Sequence, residues 1–257
     1  MSLFNDKLKA ITLKELFTFI VVLFFIYFLF NHFGIVRLSS VWIYVAIIGY
    51  FIYKLRCCLS SLKNDFYRVF SGDSLKYVFL VIILNIFMSY GLLYLSDFIL
   101  SSFPGLNFLV SFHLSSMYLN ASLVAVGGFI ATVFISPISE ELIFRGVIFN
   151  RFKLAMPTSI AILLSSLLFA AMHSYGSIVA AFIFAICMAI LYLRTDNIAV
   201  PIFAHFLNNF LAESIVILDA GNVLFTNVLV MYGVSFLAVV SAILIIASIF
   251  DEWNNIK

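Results

Sequence analysis

Charged residues are scarce in this chain. Asp, Glu, Lys and Arg account for only 26 of its 257 residues, whereas 65% of the residues are hydrophobic. The mean hydropathy is +1.19, and a soluble domain of 29 kDa has no single core that could hide so much apolar surface from water. The shortage of charge therefore excludes an ordinary soluble protein. It predicts an all-α, polytopic membrane protein.

Two further shortages exclude other classes of protein. The formal net charge is only +2, and the basic residues stand in short segments between apolar runs rather than in a patch, so nucleic acid is not an expected partner. The three cysteines, Cys57, Cys58 and Cys187, are an odd number without the spacing of metal ligands. We expect free thiols, with Cys57 or Cys58 as a candidate for acylation beside a basic loop.

Eight apolar stretches approach the roughly 20 residues that a spanning helix needs. They are 16–34, 38–54, 77–96, 118–136 running on to 153, 157–173, 176–193, 197–218 and 223–250. No repeat or long linker divides the chain, so we predict about eight transmembrane helices in a single integral membrane domain, 1–257.

The basic residues predict the orientation in the membrane. With the N-terminus inside, 13 of the 14 Lys and Arg residues fall in cytoplasmic segments and only Arg37 falls outside. We therefore expect both termini to be cytoplasmic. The expected location is the plasma membrane of a bacterium.

Adjacent carboxylates stand inside one of the apolar runs. Glu140 and Glu141 are followed one helical turn later by Arg145, and ionisable groups at membrane depth are candidates for a functional site. Pro137 precedes them and predicts a break in the helix, with Ser139 as the N-cap of a new helix. Both carboxylates would then lie in a first turn, where the helix dipole favours negative charge.

Two histidines in later apolar runs complete the set. Residues four apart share one helix face, so His205 and Asn209 face the same space, as Glu141 and Arg145 do. At about 1.5 Å per residue, Glu140 and His205 reach the same depth, whereas His173 would lie about 8 Å higher in an untilted helix. We expect the helices of 121–218 to enclose a polar, catalytic cavity.

These residue types suit hydrolysis. Glu140 is the candidate general base acting on water, and His173 would orient that water or exchange protons with it. His205 and Asn209 offer donors for a developing oxyanion, while Arg145 would hold Glu141 in place. Glu140, His173 and His205 could instead bind zinc with water as the fourth ligand. HExxH is absent and the local spacing requires no metal, so these residues leave both mechanisms open.

Three ordered elements carry a family resemblance. EExxxR at 140–145, FxxxH at 169–173 and HxxxN at 205–209 resemble the CPBP family of intramembrane proteases, which includes CaaX-processing endopeptidases and bacterial Abi or bacteriocin-immunity proteins. The resemblance covers 137–211. It implies an intramembrane endopeptidase in which Glu140, His173, His205 and Asn209 carry catalysis and Glu141 and Arg145 support it. The resemblance also supports a metal-free mechanism that depends on the glutamate, so we expect that no cofactor is required. The implied substrate is a membrane-associated peptide or protein, and the lipid bilayer is the other partner.

Each element also has a simpler interpretation. The charged triplet would fit a solvated amphipathic helix at the inner surface, and His173 would fit a helix end. His205 with Asn208 and Asn209 would fit hydrogen-bonding contacts between helices. A non-catalytic immunity or scaffold protein of the same fold is the main alternative function, and a small transporter is a third. Serine and aspartyl intramembrane proteases are disfavoured, since no GxSG or GxGD motif occurs in an apolar run.

Overall fold

The fold is helical throughout the residues that the computed structural model describes, namely 2–34, 39, 41–70, 74–103, 126–173 and 177–256. The helices are α1 (Leu3–Ala10), α2 (Leu13–His32), α3 (Val41–Leu55), α4 (Leu59–Phe70), α5 (Ser74–Ser102), α6 (126–155, in five successive segments), α7 (Thr158–Ala170), α8 (Ile178–Thr195), α9 (Ala199–Leu218), α10 (Val223–Thr226) and α11 (Val228–Ile256). This architecture confirms the all-α prediction.

Six of these helical regions are long and apolar enough to cross a membrane. Within the described part of the chain they are Leu13–His32, Val41–Phe70, Ser74–Ile99, Ile178–Thr195, Ala199–Leu218 and Val228–Asn254. Their outer faces expose large apolar side chains such as Phe17 at 69% and Phe236 at 70%, which is the expected surface against lipid. The polytopic membrane class is confirmed. The other two predicted spans also form helices, but α7 has only 13 residues and α6 is irregular.

Helix α6 runs through Pro137 without a break. It comprises Val126–Ile130, a π-helical segment Ala131–Ile135, Ser136–Glu141, a second π-helical segment Leu142–Phe149, and Asn150–Ala155. The predicted new helix start is therefore wrong. The Ser139 hydroxyl donates to the Ser136 carbonyl oxygen at 2.9 Å instead of capping a helix. The Ser136 N–H bonds the Ala131 carbonyl five residues back, because a wider π turn lets the helix continue around a residue that lacks an N–H.

The N-terminal helix α1 packs on the middle of α6. Leu8 is fully buried, and a Cβ added at Gly146 would lie 2.7 Å from its Cδ2 atom, so only glycine fits beneath it. Beyond α1, the Ile11 carbonyl oxygen accepts from Arg151 Nε at 2.6 Å. Residues from outside the motif-bearing segment therefore hold α6 in place.

Both ends of the described chain lie at one end of the helical bundle. Lys9 pairs with Asp196 after α8 at 2.5 Å, and Arg194 at the end of α8 pairs with Glu252 near the end of α11 at 2.7 Å. This arrangement agrees with an even number of spans. That this end faces the cytoplasm stays a prediction, and Arg37 lies outside the described residues.

Helices α5 and α11 pack side by side along most of their length. At their closest approach a Cβ added to Gly91 would collide with the Cβ of Ala238, a contact of small residues of the kind common between membrane helices. The same helix α5 also reaches α9, where the Asn85 amide nitrogen donates to Asn208 Oδ1 at 2.9 Å.

Candidate active site

A buried ion pair on α6 is joined to α9 through one histidine. Glu141 Oε1 accepts from Arg145 Nη1 at 2.9 Å and from His205 Nδ1 at 2.8 Å. The side chains of Glu141 and Arg145 are only 0% and 3% exposed. A second guanidinium nitrogen donates to the Ala185 carbonyl oxygen of α8 at 3.1 Å. The interpretation of these residues as a solvated amphipathic helix is therefore wrong.

An aromatic ring organises the groups around this pair. Phe169 of α7 lies against the Arg145 guanidinium, with 4.7 Å between the ring centroid and Cζ. The same ring lies 4.7 Å from the ring of His173 and 5.8 Å from that of His205. From α8, Phe184 contacts the His205 ring edge to face at 5.1 Å. These apolar walls limit the access of water and restrict both imidazoles.

Glu140 is held on another side of the same imidazole. Its Oε2 atom lies 3.9 Å from His205 Nε2, and its side chain is 14% exposed. The Ser136 hydroxyl, one turn earlier on α6, donates to the other oxygen, Oε1. The side chain of Tyr44 on α3 lies near Ser136 and Glu140. The two carboxylates therefore approach different nitrogen atoms of His205, and their other partners differ, in agreement with the rotation of about 100° between adjacent helical residues.

His173 and Asn209 share a small cavity with His205. The cavity has a volume of about 170 Å³, and its polar lining includes Asn85 and Asn208 as well. Glu140 contacts His205 but is not one of the cavity-lining residues. His205 therefore adjoins both the Glu140 carboxylate and the cavity, and it connects the two halves of the predicted site.

His173 lies in the turn that follows α7. Its backbone N–H bonds the Ala170 carbonyl at 2.9 Å, and its Nδ1 atom lies 3.0 Å from the Phe169 carbonyl oxygen. Because α7 ends at Ala170, the position of His173 does not follow from a straight spanning helix, which removes the mismatch in depth expected from the sequence. Both the helix-end interpretation and the cavity location are thus correct for this residue.

Sequence reasoning missed four residues around the site. Ser136 had a local signal, since it lies four residues before Glu140 and shares its helix face. Asn85 interrupts an apolar helix, and Asn208 was considered only as a contact between helices. Tyr44 had no local signal, because only the packing of α3 against α6 brings it to Ser136.

The three residues considered as possible zinc ligands, Glu140, His173 and His205, do not form a cluster. No three His, Cys, Asp or Glu side chains converge as metal ligands anywhere in the described ranges. Glu140 and His205 approach each other, but His205 Nδ1 is already bonded to Glu141. A ligand set of Glu140, His173 and His205 would require movement of these side chains, so we base no step on a metal.

Comparison with known proteins supplies the family. Residues 121–211 match the Rce1-like type II CAAX prenyl endopeptidases, and this segment contains all six predicted site residues. No curated protein and no solved structure matches the chain. The match confirms the resemblance drawn from the three motifs, and the apolar helices agree with action in a lipid bilayer on a membrane-associated substrate. Over residues 121–211, this chain is similar to the Rce1-like members of the CPBP/CaaX protease family, and this similarity supports an intramembrane endopeptidase at the level of the family.

Proposed function

We propose that this protein hydrolyses a peptide bond in a membrane-associated peptide or protein, with Glu140 activating the attacking water. The observation that carries the proposal is the 3.9 Å separation between Glu140 Oε2 and His205 Nε2 in a poorly exposed site. Two atoms at this distance can share one water lying about 2.8 Å from each, with an angle of roughly 90° at the water.

The hydrogen bonds around His205 define what it offers to that water. A carboxylate only accepts, so Glu141 must receive the proton of Nδ1, and Nε2 of the neutral ring is then an acceptor. The water would donate one hydrogen to Glu140 and the other to His205, which leaves a lone pair for the substrate carbonyl. His205 would donate to an oxyanion only as an imidazolium.

In the proposed reaction, the water oxygen bonds to the carbonyl carbon as Glu140 takes its proton. The negative charge moves to the carbonyl oxygen, and an N–H of Asn209 in the cavity would stabilise it. The Nδ1 proton of His173 is directed to the Phe169 carbonyl oxygen, so the His173 ring would donate to the oxyanion only as an imidazolium. The carbon–nitrogen bond then breaks, and Glu140 returns the proton to the leaving amine. The Arg145–Glu141 pair takes no proton and holds His205 in orientation.

The substrate class follows from the surroundings of the site and from the family. Carboxylates and imidazoles lie among apolar helices, so a peptide reaches them most readily when a lipid-associated segment anchors it at the membrane. The Rce1-like family is described as acting on prenylated CAAX proteins. We propose a test panel of a prenylated CAAX peptide, its unprenylated form and a bacterial leader-containing peptide precursor.

Cleavage of this panel by the protein in lipid nanodiscs tests the proposal. Glu140→Gln should lower kcat at least about 100-fold, the lower end of the usual contribution of a general base. Glu213→Gln is the matched control, because Glu213 is a half-buried glutamate on α9 that is not among the residues lining the cavity. It should leave the rate within about twofold of the unmodified protein, since substitutions away from buried networks usually have small effects.

A chelator arm addresses the metal question with the same peptides. The proposal expects cleavage to survive a strong zinc chelator and to be lost in Glu140→Gln. Cleavage by Glu140→Gln at the unmodified rate would refute the role of this carboxylate. Loss of activity on chelation, restored by added zinc, would replace the proposed water activation with a metal-dependent one.

A further inference from the structure

A chain of three asparagine amides connects α5 to the cavity. Asn85 Nδ2 donates to Asn208 Oδ1 at 2.9 Å, and Asn208 Nδ2 donates to Asn209 Oδ1 at 3.3 Å. Asn209 Nδ2 then donates to the backbone carbonyl of Thr132 in the first π-helical segment of α6, at 2.9 Å. This chain of hydrogen bonds begins at Asn85, outside residues 121–211, and reaches Asn209, the predicted donor to the oxyanion.

The direction of this chain is set at its far end. The Thr132 carbonyl oxygen can only accept, so Asn209 must present its NH₂ group there and its oxygen toward Asn208. Asn208 must then donate to Asn209, which turns its own oxygen toward Asn85. Asn85 is therefore required to donate. Each amide orientation follows from the next, although nitrogen and oxygen of an amide are otherwise hard to distinguish.

The fixed direction of these hydrogen bonds has an energetic cost at Asn85. Asn85 is 5% exposed, and its buried Oδ1 atom has no hydrogen-bond partner among the residues that the structure describes. An unsatisfied buried acceptor costs about 1–3 kcal/mol, so an apolar residue would pack here more favourably if the helix contact alone mattered. The side chain also lines the cavity that contains His173 and His205.

We propose that Asn85 is a positioning residue, which acts through Asn208 to reinforce the orientation of the Asn209 amide that the Thr132 carbonyl sets, with the NH₂ group directed at Thr132 and the site rather than reversed. One N–H of Asn209 is held by Thr132, and the second is then available to a substrate oxyanion. Reversal of the amide would place an oxygen where the negative charge develops. This inference rests on the proposed function of Asn209.

The amides could also serve simply as contacts between α5 and α9, and the two roles differ in their effect on kcat. A positioning role works only through Asn209, so its contribution must vanish when Asn209 is absent. A contact role affects the stability of the helix pair, and its effect on turnover would be the same with or without Asn209.

A double-mutant cycle on kcat separates the two roles. Loss of one neutral hydrogen bond predicts a roughly 2–12-fold decrease in kcat for Asn85→Leu. Asn85→Asp should be worse near neutral pH, because its carboxylate faces Asn208 with acceptors and pulls the Asn208 NH₂ group away from Asn209. In an Asn209→Ala background, neither substitution should lower kcat further. Equal losses in both backgrounds would overturn the proposal.

A pH series gives an independent readout. A protonated carboxylic acid donates as the asparagine amide does, so the activity of Asn85→Asp relative to the unmodified protein should rise as the pH falls. The corresponding ratio for Asn85→Leu should stay constant. A flat ratio for Asn85→Asp would overturn the directional chain. Asn31→Asp is the matched control, because the Asn31 amide bonds the Tyr27 carbonyl within α2.

Failure of this inference and failure of the proposed function give different results. If Asn85 and Asn209 contribute additively while Glu140→Gln is inactive, the endopeptidase proposal stands and the positioning role is wrong. If the unmodified protein cleaves none of the peptides, the same cycle is measured on thermal unfolding. The amide chain then predicts coupling between Asn85 and Asn209, and additive losses would overturn it.

Discussion

Replacing Glu141 by Gln should destabilise the protein more than any matched change of a surface ion pair. The substitution keeps an oxygen near His205 Nδ1 but removes the only charge within 2.9 Å of the Arg145 guanidinium in the described structure. Breaking a buried ion pair from one side costs about 3–5 kcal/mol, because the remaining charge stays desolvated. At about 2–4 °C per kcal/mol for a chain of this size, the unfolding midpoint should fall by about 6–20 °C.

The buried thiols supply the assay. Cys58 and Cys187 are only 1% and 7% exposed, so they react with a fluorogenic maleimide when the helices separate. Cys57 is exposed and would give a constant background, which Cys57→Ser removes. The midpoint of thiol labelling on heating in detergent therefore reports unfolding of the core.

Two controls make the prediction specific. Glu252→Gln breaks the Arg194–Glu252 pair, whose side chains are 40% and 18% exposed, and should cost no more than about 1 kcal/mol. Adding Arg145→Met to Glu141→Gln should restore most of the lost stability, because no unpaired buried charge remains. If Glu141→Gln lowers the midpoint no more than Glu252→Gln does, the Arg145–Glu141 pair is not desolvated and this reasoning is wrong.

Two further predictions concern Tyr44 and Leu8, which lie outside residues 121–211 and pack near α6. Tyr44→Phe removes a hydroxyl that lies near Ser136 and Glu140, so kcat should fall by about the 2–12-fold expected for the loss of one polar interaction, and an unchanged kcat would separate Tyr44 from the site. Gly146→Ala places a Cβ 2.7 Å from Leu8 Cδ2, so it should cost about 1–3 kcal/mol in thermal unfolding, and Leu8→Ala combined with it should remove part of that cost. Purely additive losses in this second pair would contradict the close contact between α1 and α6.

Local spacing was sufficient for part of the site. The pairing of Glu141 with Arg145 follows from their separation by one helical turn, and the structure confirms it at 2.9 Å. The common cavity of His205 and Asn209 follows from the same spacing. The break at Pro137 was wrong, because the missing N–H predicts a lost bond but does not show that π turns can absorb it.

Contacts between helices could not be predicted from the spacing of residues in the sequence. The hydrogen bond from His205 to Glu141 and the approach of Asn85 to Asn208 depend on how α5, α6 and α9 pack. Shape complementarity decides that packing, since lipid provides little hydrophobic preference for one neighbour over another. One example is Gly91, whose lack of a side chain allows the close contact between α5 and α11 and which hydropathy does not reveal as a contact site.

By itself, the sequence determined the membrane class, the helical content and the order of the three motifs, because these depend on apolar length and on the 3.6-residue period of a single helix. Only the tertiary structure decided that Glu140 and Glu141 approach different nitrogen atoms of the His205 ring. It also decided that Tyr44 on α3 and Asn85 on α5 lie beside the site. A single helix fixes which side chains share its face. Which other helix meets that face depends on the packing of the whole bundle.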